Sequence, residues 1–130
     1  MTKKPTITIA PLSIPGAISQ AAWRCIQQAG ALFLQTVQSP CAQPVLEAGL
    51  AFTPMDDLYA SAQDFDQLNQ AIAQRLCAAG DGAVYAVCGG GMGDAALQAL
   101  AAAARAAGLS IRQLPGAGFG QCALCALPEA

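Results

Sequence analysis

"DGAVYAVCGGGMGDAALQALAAAARAAG", residues 81–108, decides the fold. Asp81-Gly82 reads as a turn. Ala83 to Val87 is an unbroken apolar run, the pattern of a strand buried on both faces. Four glycines then fall within residues 89–93. From about Gly93 to Gly108 the sequence is helical, with Asp94 near the positive N-terminal end and Gly108 past the last turn. Strand, glycine-rich turn and helix in that order form one unit of an alternating α/β chain.

The same alternation extends in both directions. "TITIAP" (6–11) is a β-branched strand. "PGAISQAAWRCIQQAG" (15–30) carries Ala22, Cys25, Ile26 and Ala29 at helical spacing and stops at Gly30. "ALFLQTV" (31–37) reads as a second strand. A proline-rich turn and a short helix ending near Gly49 follow, then a short strand in "LAFTP" (50–54). Asp64 is placed to cap a helix over 65–79 whose buried stripe is Leu68, Ile72, Leu76 and Ala79. "LSIRQLPG" (109–116) is a fifth strand, and Phe119 to Leu127 starts a further helix. The expected architecture is a three-layer α/β sandwich. Its mostly parallel five-stranded sheet lies in a single domain spanning residues 1–130.

Composition narrows the function. The chain has 130 residues, 55% hydrophobic and only 11% charged, with a net charge of −2. No basic stripe exists beyond Lys3-Lys4, which excludes a nucleic-acid role. The N-terminus has no continuous apolar segment of the signal-peptide kind. The most apolar stretch, Ala95 to Ala107, is shorter than the ~18 residues a membrane span needs. A cytoplasmic location is expected, and with it six reduced cysteines, Cys25, Cys41, Cys77 and Cys88 among them as small buried thiols.

Histidine is absent. That removes Ser-His-Asp and Cys-His nucleophiles and mixed Cys/His metal sites. "CALC" (122–125) is half a zinc pattern without its second half, and packing explains it. Asp56, Asp57, Asp64 and Asp66 either bind a divalent ion or form a solvated loop and helix start; no metal is expected. The glycine run lacks the Lys-Ser/Thr ending of a phosphate loop and misses the dinucleotide register, since Asp94 stands where the third glycine belongs. It nevertheless follows a buried strand, where ligands of parallel sheets bind, and "QLPGAGFG" (113–120) leaves another strand in similar fashion.

"MDDLYASAQDFDQLNQAIAQRL" (55–76), "AVYAVCGGGMGDAALQAL" (83–100) and "LSIRQLPGAGFG" (109–120) together resemble the N-terminal domain of the tetrapyrrole (corrin/porphyrin) methylases. Some bacterial members of that family are fused to a MazG-type pyrophosphohydrolase. The resemblance implies S-adenosylmethionine bound between two α/β domains, with a tetrapyrrole in an adjoining trough. It puts the cleft at Pro11 to Gly16, Cys88 to Asp94 and Pro115 to Phe119. The implied cofactor-binding residues are Cys88, Gly89, Gly90, Gly91, Met92, Gly116 and Ala117. The implied substrate-binding residues are Pro11, Ser13 and Gly16. Tyr85 and Asp94 are secondary candidates, and Tyr85 sits where core packing would claim it.

The sequence departs from the family in three places. The first loop keeps only Gly16 of a glycine-rich motif. Gly89-Gly90-Gly91 replaces a proline-containing turn. The second domain, which supplies part of the cofactor pocket, is absent from these residues. The chain is therefore expected to be the N-terminal half of such a methyltransferase, or a stand-alone descendant, inactive alone and with no catalytic side chain of its own. Its expected partners are a further domain or a second copy in a homodimer. A non-catalytic binding or assembly module is the alternative, and a nucleotide-binding enzyme of another kind comes third.

Overall fold

The computed structural model describes residues 5–12, 18–87 and 94–114. Five strands alternate with helices: β1 (Thr6–Pro11), α1 (Gln20–Gln27), β2 (Ala31–Leu34), α2 (Gln43–Glu47), β3 (Thr53–Pro54), α3 (Asp56–Ser61), α4 (Phe65–Ala79), β4 (Ala83–Val87), α5 (Asp94–Ala107) and β5 (Ser110–Gln113). A single 3₁₀ turn, Pro40–Ala42, leads into α2. The strands form one five-stranded sheet in the order β3-β2-β4-β1-β5, and every pairing is parallel.

Strand alternation divides the core in two. Ile7, Ile9, Phe33, Tyr85 and Val87 face α4 and α5, joined by Leu68, Ile72, Leu76 and Leu100. Ala10, Leu32, Leu34, Val84 and Ala86 face α1 and α2, joined by Ala22, Ile26 and Val45. Every residue of β4 is buried, as a central strand covered on both faces requires. The three-layer sandwich anticipated from the apolar runs is present, with a sheet that is wholly parallel.

Local signals fix the helix starts. Ser19 caps α1 by accepting from the Ala22 amide at 3.1 Å. Asp64 caps α4 by accepting from the Gln67 amide at 2.8 Å, as its position foretold. Several expectations need correction. Helix α1 begins at Gln20, because the Ser19 cap holds extended backbone. Strand β2 ends at Leu34 and not at residue 37, because Thr36 and Val37 turn away to bond Asp56. The α4 stripe includes Ala73 and ends at Leu76, and Ala79 is exposed at the last turn. Helix α3 was not anticipated at all. Cys25, Cys41 and Cys77 are only half-buried, free thiols rather than core residues. The expected helix over Phe119 to Leu127, and the "CALC" pair, lie outside the described residues.

Candidate functional site

Parallel strands send all their connections out from one edge of the sheet. β4, β1 and β5 are consecutive neighbours, so Val87, Leu12 and Leu114 stand side by side at the same edge. The Leu12 amide donates to the Val87 carbonyl at 2.6 Å, and the Leu114 amide to the Ile9 carbonyl at 3.0 Å. Pairing therefore persists to Leu12, one residue past β1. From there β1 leads to α1 on one face and β4 leads to α5 on the other. Connections that diverge in this way open a crevice at the carboxyl ends of the strands.

The sequence candidates divide accordingly. Pro11 is buried in β1, opposite Val87. Tyr85, 1% exposed, packs in the core, as a strand residue would. Asp94 opens α5. Ser13, Gly16, Cys88, Gly89, Gly90, Gly91, Met92, Gly116 and Ala117 lie outside the described residues. The structure thus brings together the strand ends from which those segments depart.

The four aspartates separate into different tasks. Asp57 makes a bidentate ion pair with Arg75, at 2.9 and 2.8 Å. The guanidinium's hydrogen bonds hold the Asp57 carboxyl below the usual carboxylate range, against a smaller opposing push from desolvation. Arg75 also donates to the Pro54 carbonyl at 3.1 Å, tying α4 to the end of β3. Asp64 caps α4, and Asp66 lies in its first turn. No group of three or more metal-ligating side chains occurs among the described residues.

Asp56 does something else. It accepts from Thr36 Oγ1 at 3.0 Å and from the Val37 amide at 3.2 Å, bridging the ends of β2 and α3. Gln35, Thr36, Gln38, Asp56, Tyr59 and Ala60 line a cavity of about 530 Å³ there. The Gln35 amide donates to the Ala86 carbonyl at 2.9 Å, so this cavity begins one strand away from the end of β4. It lies where β2 and β3 diverge toward α2 and α3 on opposite faces, a second crevice on the same edge. Sequence reading missed it. The available signal was the abrupt change from "ALFL" to "QTVQS", polar residues where an apolar strand stops.

No helix among the described residues is long and apolar enough to cross a membrane. No family model matches the sequence, and no curated protein matches it. Solved structures do share its fold. A uroporphyrin-III-C-methyltransferase from Thermus thermophilus superposes with a TM-score of 0.61 at 18% identity, over 88% of this chain and 48% of that one. A conserved hypothetical protein from Aeropyrum pernix K1 gives 0.60 at 22% identity, over 89% and 40%. A diphthine synthase gives 0.60 at 15% identity, over 92% and 47%. The chain spans about half the length of these structures or less.

Proposed function

We propose that this chain is the cofactor-positioning α/β half of an S-adenosylmethionine-dependent methyltransferase of the tetrapyrrole-methylase kind. One observation carries the reading. The strands β4 and β5, whose following segments resemble the family's cleft motifs, flank β1, and all three have their carboxyl ends on one edge. The likeness in fold to a uroporphyrin-III-C-methyltransferase and a diphthine synthase supports it.

The chemistry asked of such a site suits these residues. S-adenosylmethionine, when bound, supplies a methyl group on a positively charged sulfur. A sheet edge carrying Asp56, with Asp57 neutralised by Arg75, is compatible with that charge. Backbone groups of Gly89, Gly90, Gly91 and Met92, with Gly116 and Ala117, would hold the cofactor by hydrogen bonds and close approach, which the lack of side chains allows. Methyl transfer depends mainly on alignment of two reacting atoms, so the absence of histidine is no obstacle. Half a pocket gives part of the binding energy, and each ~1.4 kcal/mol lost costs tenfold in affinity. The chain therefore needs a second domain or a partner to turn over.

Calorimetric titration with S-adenosylhomocysteine tests this directly. Saturable one-site binding that is lost in Gly90→Val is expected. No heat at millimolar ligand would overturn it. A second reading, an assembly module that pairs with another copy, is favoured by one feature. Phe65 is 78% exposed and Tyr59 43% exposed beside a shared cavity at the α3–α4 junction. Sedimentation of Phe65→Ser against the parent chain tests that reading: a parent dimer that becomes monomeric supports it, and an unchanged monomer removes it.

A further inference from the structure

We propose that the cavity between the ends of β2 and β3 binds an organic ammonium group, so that the ligand taken at this edge is an amine and not a polycarboxylate. This deepens the methyltransferase reading, on which it rests only for calling that amine a substrate.

Asp56 is the anchor. Each of its oxygens already accepts one hydrogen bond, from Thr36 Oγ1 and from the Val37 amide. Those bonds fix the carboxylate's direction before any ligand arrives. Each oxygen keeps a further lone pair for a donor in the cavity. Tyr59 lines the same cavity and is 43% exposed. A carboxylate with an aromatic ring nearby attracts a cation twice, through a charge-assisted hydrogen bond and through the ring's quadrupole. Gln38 adds a side-chain amide for a polar ligand body.

The placement of the cations points the same way. Arg75 is brought to this edge, but its two terminal nitrogens are bonded to Asp57, and one also to Pro54. Arg112 donates to Cys25 Sγ at 3.0 Å. Arg105 sits in the last turn of α5, at the opposite edge, where the chain enters β5. Arg24 is exposed within α1, and Lys3 and Lys4 precede β1. A ligand with several carboxylates would find no positive charge among the residues that line the cavity and would face Asp56; opposed like charges weaken binding.

The test is a ¹⁵N NMR titration of the full chain at neutral pH with three probes of one shape: 2-phenylethylammonium, 2-phenylethanol and 3-phenylpropionate. Saturable shifts at Thr36, Val37, Asp56 and Tyr59 are expected with the ammonium. The alcohol should bind about fivefold more weakly and the carboxylate more weakly still, as for a partly exposed ion pair. Asp56→Asn should erase the preference for the ammonium. Tyr59→Leu, at an exposed position that does not threaten folding, should weaken ammonium binding about threefold. Equal or tighter binding of the carboxylate would overturn the proposal. So would shifts confined elsewhere, or no saturation at tens of millimolar. The S-adenosylhomocysteine titration keeps the two readings apart. Ammonium binding without cofactor-product binding upholds the amine site and overturns the methyltransferase. Cofactor-product binding with a carboxylate preference does the reverse.

Discussion

Leu76→Ala and Phe65→Ala, both on α4, make a paired test of the packing that positions the site. Leu76 is 0% exposed and belongs to the cluster with Tyr85, Ile9 and Phe33. Phe65 opens the same helix and is 78% exposed. Truncating a fully buried leucine removes its transfer energy and leaves a cavity, together ~3 kcal/mol. Truncating a solvated side chain changes stability by less than ~0.5 kcal/mol. For a domain of this size each kcal/mol moves the melting temperature by ~4 °C. Leu76→Ala should therefore melt ~12 °C lower and Phe65→Ala within ~2 °C of the parent. Circular dichroism at 222 nm against temperature, with urea unfolding as a check, reads both. Equal shifts in the two variants would refute the rotation of α4 about its axis. A shift of only a few degrees for Leu76→Ala would refute the close packing of α4 on the sheet.

Three further outcomes follow from local geometry. Gly82 has φ +87° with only ordinary contacts awaiting a Cβ, so Gly82→Ala should cost ~1–2 kcal/mol in backbone strain alone, read by urea unfolding. The Asp57 carboxyl is held low by Arg75, so the unfolded chain takes up the proton first as pH drops. The pair's contribution is present above the ordinary carboxylate range and is lost as pH falls through the lowered value. Asp57 is well exposed, so the effect is small, and Asp57→Asn should make the acid limb of the stability curve slightly shallower. Burial raises the Cys77 thiol pKa, so the unfolded chain ionises first on the alkaline side. Stability should decline above the ordinary thiol range, and Cys77→Ala should reduce that decline in unfolding experiments at high pH.

The parts of this fold that could be read in advance are those whose cause is local in sequence. Ala83 to Val87 could only be a doubly covered strand, because five consecutive apolar residues leave no face for water. Asp64 announced α4 because a cap and a stripe of Leu68, Ile72 and Leu76 agree. Helix α3 escaped notice for the opposite reasons. It has six residues, no side-chain cap at Met55 and no buried residue, so neither periodicity nor capping marks it. Strand β3 has two residues and exists through its pairing with Phe33 and Leu34. Strand order depends on which crossovers skip a neighbour, which no short stretch encodes. The glycine segments could be assigned to strand ends from sequence. That β4, β1 and β5 stand side by side required the sheet. The Asp56 cavity needed more still, since Thr36 and Asp56 are brought together only when β2 and β3 pair.

The two borders of the sheet have a consequence for behaviour at high concentration. An open parallel sheet presents unpaired amides and carbonyls along its outer strands, a template on which other chains can grow. Here one border is β3, too short at two residues to seed a ladder. The other is β5, four residues long, with Arg112 and Gln113 exposed. A short, charged border makes a poor fibril seed. Copies of this domain that associate should therefore meet through helices rather than by extending the five-stranded sheet of the described residues.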